Sequence, residues 1–78
     1  MPVATVRLRG LLAKGIDSTY PISFEGKRIK LETALSKVPV AIPRKAVAFV
    51  AINGTKAVKD AWVNDGDIVD IFPAVTGG

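Results

Sequence analysis

From Val3 to Arg9 the chain alternates. Ala4, Val6 and Leu8 fall on one side, and Val3, Thr5, Arg7 and Arg9 on the other. Successive side chains of a strand point to opposite faces, so the pattern predicts a half-buried strand. Tyr20 to Phe24 repeats it, with Tyr20, Ile22 and Phe24 together. Pro21 has no N–H to offer a second neighbour and places this strand at a sheet edge. Between the two, Gly10 to Ser18 (GLLAKGIDS) carries two glycines and an Asp-Ser pair. It reads as an unusually long hairpin connection, with Leu11, Leu12 and Ile16 directing it back over the sheet.

Gly26-Lys27-Arg28 reads as a turn. Ile29 and Leu31 then lead into the one helix the pattern predicts, with Glu32 and Thr33 as candidate caps and Ala34, Leu35 and Val38 at helical spacing. Pro39 ends it after about two turns, because a residue before proline is pushed out of the helical region. Val40 to Lys45, with Pro43 inside, is a connecting loop. Ala46 to Ile52 (AVAFVAI) is apolar throughout and predicts a strand covered on both faces. Asn53-Gly54 is a hairpin signal, and Thr55 to Val58 a brief return strand. Asp60 to Val63 is a short irregular piece in which Trp62 is expected to cap the core. Asn64-Asp65-Gly66-Asp67 is a second sharp turn, and Ile68 to Phe72 the final strand. The order predicts an α+β fold: a mixed sheet of four to five strands wrapped on one short helix. The last strand lies beside the first and parallel to it, because the helix supplies the crossover that parallel strands need.

The chain closes with Pro73, then Ala74-Val75-Thr76-Gly77-Gly78. Pro73 has no N–H and fixes its own φ, so regular pairing is expected to stop there. This predicts a folded body over residues 1–73 and a flexible Gly-Gly tail over 74–78. A Gly-Gly end can enter a narrow channel where any Cβ would clash. Its main-chain carboxylate, with a reference pKa of about 3.3–3.7, is ionised at neutral pH. A carboxylate acylates poorly until it is activated. An enzyme with ATP can convert it to an acyl-adenylate, and a sulfur or nitrogen nucleophile can then take the acyl group. The plainer reading is a frayed end or an appended scar; the strand, the Phe-Pro and the apolar spacer directly before the glycines weigh against it.

Composition narrows the chemistry. Seventy-eight residues make one domain with a thin core. Cysteine and histidine are both absent. That removes disulfides, thiolate nucleophiles, most zinc sites and the commonest acid-base group. Asp65 and Asp67 flank Gly66 in a turn, and the seven carboxylates make no metal-loop pattern. Neither a catalytic residue nor a metal site is expected. No apolar run is long enough for a membrane span and no signal peptide is visible, so a cytoplasmic protein is expected. The net charge is +4, with eleven Lys and Arg spread along the chain. A solvated face explains them better than a nucleic-acid surface does.

Several of these features together resemble a known family. They are the β-β-α-β order, the apolar strand ending in Ile52-Asn53-Gly54, the turn Asp65-Gly66-Asp67, and the ending Phe72-Pro73-Ala74-Val75-Thr76-Gly77-Gly78. The chain is similar to the ubiquitin-like sulfur carriers of the MoaD/ThiS type, over about its whole length and most specifically from Val47 to Gly78. The resemblance implies a β-grasp fold and a carrier that is not an enzyme and binds no cofactor of its own. It implies that Gly78 is adenylated by a partner resembling ubiquitin-activating enzymes, which uses ATP and magnesium. Sulfur then replaces one oxygen to give a thiocarboxylate. That group is the sulfur donor for molybdopterin (the molybdenum or tungsten cofactor) in one branch and for the thiamin thiazole in another. The second partner is the large subunit of a sulfur-accepting synthase, of which the carrier is the small subunit. Phe-Pro before the spacer leans to the MoaD branch, whereas Ala74 stands where a second proline is common. The same tail logic suits a ubiquitin-like modifier conjugated through Gly78. A β-grasp nucleic-acid-binding module is the reading from another class, and needs no Gly-Gly end.

The site residues follow from the tail and the last strand. Gly77, Thr76, Val75 and Ala74 are expected to thread a partner's channel. On a period of two, Val69 and Ile71 share one face, and Ile68, Asp70 and Phe72 the other. With Val69 and Ile71 on the helix, Ile68, Phe72 and Pro73 are expected on the open face beside the tail, where they would dock a partner. The alternative packs Phe72 under the hairpin loop through Leu11 or Leu12. Arg7 and Arg9 share the open face and are candidates for acidic groups of a partner, while Asp70 can pair with either across the strands.

Overall fold

The computed structural model describes residues 1–10, 18–40, 42 and 44–74. Strand β1 (Val3–Leu8) pairs antiparallel with β2 (Thr19–Ser23), Val6 opposite Tyr20 and Ala4 opposite Ile22. Strand β3 (Arg28–Lys30) runs straight into helix α1 (Leu31–Ser36). A single 3-10 turn at Arg44–Ala46 precedes β4 (Val47–Ile52), and β5 (Thr55–Lys56), β6 (Trp62–Asn64) and β7 (Ile68–Pro73) follow. The main sheet has the order β2-β1-β7-β4-β5, and β3 and β6 form a separate two-stranded sheet.

The alternation in β1 does what it predicts: Ala4, Val6 and Leu8 are buried. Pro21 sits in an edge strand, as its missing donor requires. Strand β7 lies parallel to β1, with Val6 beside Val69 and Leu8 beside Ile71, and antiparallel to β4 on its other side. Val6, Val69 and Ile71 are fully buried, and Leu31, Ala34 and Val38 close over them from the helical side. β1 and β7 form the middle of the core because both are internal strands whose inward residues, Val6, Val69 and Ile71, are fully buried.

Three expectations are corrected. Glu32 and Thr33 do not cap the helix, which begins at Leu31. Lys30 holds the cap position in extended backbone without a side-chain bond, and Leu31 N–H donates to Ala61 O at 2.9 Å. A bond from the neighbouring segment thus satisfies a donor that a cap would have taken. Trp62 does not cap the core. Arg28–Lys30 and Trp62–Asn64 are strands that pair with each other, Ile29 opposite Val63. In so short a ribbon only one residue in two faces inward; Val63 is fully buried and Trp62 is 39% exposed. Finally, β4 is not covered on both faces. Ala48 and Phe49 are exposed, and the register shifts between Val47 and Phe49. A six-residue helix is about 9 Å long and cannot span the sheet. Beyond it lies an open cleft of about 860 Å³ whose lining includes Leu35, Ile42, Val47, Val50 and Ile71.

Candidate functional site

The outer face of β7 carries Ile68, Asp70 and Phe72, as the period of two predicts, while Val69 and Ile71 are buried beneath. Phe72 faces Phe49 of β4 across the ladder. The rings stack with centroids 4.6 Å apart and planes 17° from parallel, the offset arrangement that aromatic pairs favour. Phe49 is 38% exposed and Ile68 37%. Phe49 and Phe72 form a small apolar ridge, bordered by Lys56, whose ammonium lies 5.8 Å from the Phe49 ring centre, while Ile68 stands at the far end of the strand, beyond Asp70. The alternative packing of Phe72 under Leu11 or Leu12 falls outside the described residues.

Asp70 stands on the same face yet is only 6% exposed, because Arg7 lies across it. The two residues are direct neighbours in the parallel register. Arg7 Nε donates to one carboxylate oxygen at 2.6 Å and Nη2 to the other at 2.9 Å, the two-pronged geometry that suits a guanidinium. These hydrogen bonds hold the Asp70 carboxyl below the usual carboxylate range. Burial opposes the shift, and the charges of Arg7 and then Arg9 assist it. The same bond raises Arg7 above its ordinary value. Arg7 is thus committed to Asp70. Arg9 is exposed at the end of the strand; its N–H donates to Ile71 O at 3.0 Å, and its guanidinium forms no ion pair among the described residues.

The root of the tail is held from two sides. Pro73 is still in register with Val47, and Ala74 N–H donates to Ala46 O at 2.7 Å, so pairing runs one residue past the proline. Proline lacks a donor but keeps its carbonyl, and the next residue supplies the missing N–H. On the other side Gly10 approaches Pro73 closely. A Cβ there would sit 3.0 Å from Pro73 Cγ, and its φ of +57° is in the left-handed region. Ala74 is exposed. Val75, Thr76, Gly77 and Gly78 lie outside the described residues.

The structure therefore places Phe72, Pro73 and Arg9 around the end of β7, with Arg7 over Asp70 in mid-strand, and leaves Ile68 apart from them at the strand's start, beside Asn53. It adds Phe49 and Gly10, which sequence reasoning missed. Phe49 is hidden within an all-apolar run, and its facing is set by the register shift at the start of β4. Gly10 had a turn reading, and no local signal ties it to a residue more than sixty positions away. Among the described residues no group of three or more His, Cys, Asp or Glu could hold a metal ion, and no helix is long and apolar enough to cross a membrane.

A mixed sheet with a parallel central pair, gripping one short helix, is a β-grasp fold of the ubiquitin-like kind. The ThiS family model matches residues 23–78, from the end of β2 to the last glycine, and the chain belongs to the ThiS family. It is accordingly a small carrier protein of the ThiS/MoaD sulfur-carrier class, whose members generally work with adenylating enzymes and sulfur-accepting synthases. Searches of curated proteins and of solved structures find no match.

Proposed function

We infer that this chain carries activated sulfur as a thiocarboxylate on Gly78. The observation that carries the reading is the family match running through the Gly-Gly end, joined to a last strand whose exposed ridge and anchored root lead directly into that segment. In the proposed cycle a Gly78 carboxylate oxygen attacks the α-phosphorus of ATP and pyrophosphate leaves. Hydrosulfide then displaces AMP from the acyl carbon to give the thiocarboxylate, and the departing AMP takes the oxygen with it. The adenylating enzyme supplies the catalytic groups and binds the ATP and magnesium. This chain is its substrate and holds no cofactor.

Each part of the site has a place in that cycle. Ala74 to Gly77 thread the channel, where the small side chains and then none at all let the acyl carbon reach the nucleotide. Phe72, with Phe49, Ile68 and Pro73, docks on the activating enzyme and in turn on the large subunit of the synthase. Arg9 meets acidic groups there. Arg7 supports the ridge by covering Asp70. The acceptor is the precursor of molybdopterin or of the thiamin thiazole, and Phe72-Pro73 before the spacer favours the former. The setting is the cytoplasm.

The test is an intact-mass measurement. The protein is incubated with an activating enzyme of this family from the same source, ATP, magnesium and sulfide, beside a control lacking Gly78. The expected result is a mass gain matching one oxygen replaced by sulfur, absent in the control. An unchanged mass, or Gly78 found in an amide bond to a lysine of another protein, would overturn the carrier cycle; the amide would establish a modifier instead.

A further inference from the structure

The two-stranded sheet has an outer face that the tail chemistry leaves unused. Trp62 is paired with Lys30 across the ladder, and Arg28 lies two residues along the same side as Lys30. The Arg28 guanidinium carbon is 4.1 Å from the centre of a Trp62 ring and the Lys30 ammonium 4.4 Å. Both distances are well inside the range of attraction between a cation and an aromatic face. Neither cation forms an ion pair among the described residues. The nearby Asp65 carboxylate accepts from Val3 N–H at 2.9 Å. Lys27 extends the positive charge into the preceding turn, and all of Lys27, Arg28, Lys30, Trp62 and Asn64 are exposed.

An aromatic quadrupole attracts a cation but cancels none of its charge. The patch therefore keeps its full positive charge while two long side chains are held in one place. Immobilising such a side chain on binding ordinarily costs about 0.5–1.5 kcal/mol, and here the indole has already done much of it. An exposed tryptophan beside two cations is the composition of an interface centre; Val63 and Ile29, not Trp62, tie this ribbon to the core.

We propose that the Arg28–Lys30–Trp62 face of the β3–β6 ribbon is a second docking surface, which takes an acidic polypeptide segment of a partner protein. Glutamate or aspartate side chains meet the two cations, and the indole N–H is available as a further donor. A nucleic-acid strand fits less well. Base stacking needs ring surface, and here a base would compete with the two cations already drawn to the indole. A strand of phosphates is also tracked by a row of cations longer than this three-residue ribbon provides. The surface lies on a different sheet from the ridge of Phe49 and Phe72, so it is separate from the face assigned to the activating enzyme. It rests on none of the tail chemistry.

Trp62 is the chain's one tryptophan, so its emission reports on this site alone. The full chain is titrated with a glutamate octapeptide at low salt, and in parallel with a single-stranded oligonucleotide of equal charge. The expected result is a saturable change in Trp62 emission with the peptide, weakened as salt rises. Affinity falls about tenfold or more in the Arg28→Gln/Lys30→Gln double variant, whose thermal melt confirms that it is folded. Backbone amide shifts in the wild type, followed by NMR, move at residues 28–30 and 62–64. No emission change, an equal response from the double variant, amide shifts elsewhere, or a response to the oligonucleotide alone would overturn the proposal.

Discussion

At the scale of single residues, two contacts on the outer face of β7 do different work. The Phe49–Phe72 stack leaves Phe49 more than a third exposed at 38%, so little of the core depends on it and most of its value lies with a partner. The Phe49→Ala protein is expected to fold, and to be activated with kcat/KM reduced about tenfold to a hundredfold, the range of an interface anchor. Steady-state kinetics with the activating enzyme checks this. The Asp70–Arg7 pair, by contrast, stabilises the fold. Its carboxyl titrates lower in the folded chain than in the unfolded one, because Arg7 donates to it. Such a group contributes stability that is complete above its unfolded pKa and is lost as pH falls through the folded value. Asp70→Asn should therefore melt below wild type at pH 7. The gap should close in acid, beginning as pH drops below the ordinary aspartate range, and melts recorded from pH 7 to pH 2 would show it.

At the scale of elements, the turns do more than reverse the chain. Asn53 and Gly54 both have positive φ, 52° and 85°, as the favoured two-residue hairpin requires. Asn53 also reaches the other turn: its side-chain amide donates to Asp67 Oδ1 at 2.9 Å, and its carbonyl accepts from Ile68 N–H at 2.9 Å. Asp67 in turn accepts from Asn64 N–H at 2.8 Å. The two turns thus hold β4 and β7 in register, and with them the facing of Phe49 and Phe72. A Cβ at Gly54 would meet nothing within 4 Å, so Gly54→Ala isolates the conformational cost. It should lose about 1–2 kcal/mol, which in a domain of this size lowers the melting temperature by roughly 4–8 °C per kcal/mol. Calorimetry measures it. An unchanged melt would mean that the hairpin tolerates another turn type.

At the scale of the whole molecule, the arrangement separates tasks. The central β1–β7 pair holds the core, its outer face carries the ridge and the root of the tail, and the β3–β6 ribbon presents charge on another surface. Much of this was legible in the chain. Strict alternation placed Ala4, Val6 and Leu8 inside, and the period of two put Val69 and Ile71 on one face of the last strand, since a strand's side chains have only two directions to point. Pro21 placed an edge, Asn53-Gly54 a hairpin, and Gly77-Gly78 after an apolar strand pointed to the carrier family that the family match bears out. The ribbon was not legible, because three-residue strands carry too little pattern to distinguish from a loop and exist only through each other. Trp62 was misplaced for that reason: its size suggested core, and its pairing with Lys30 turned it outward. Arg7 and Arg9 looked equivalent along the chain, and only the parallel register gave Asp70 to Arg7. The sequence by itself thus determined the fold class, the inward face of the central strands and the family, because these rest on local periodicity and on residue types with few conformational options. The tertiary structure alone decided the stack of Phe49 on Phe72, the approach of Gly10 to Pro73 and the cations over Trp62. Each of these depends on the register between segments distant along the chain, which local pattern does not encode.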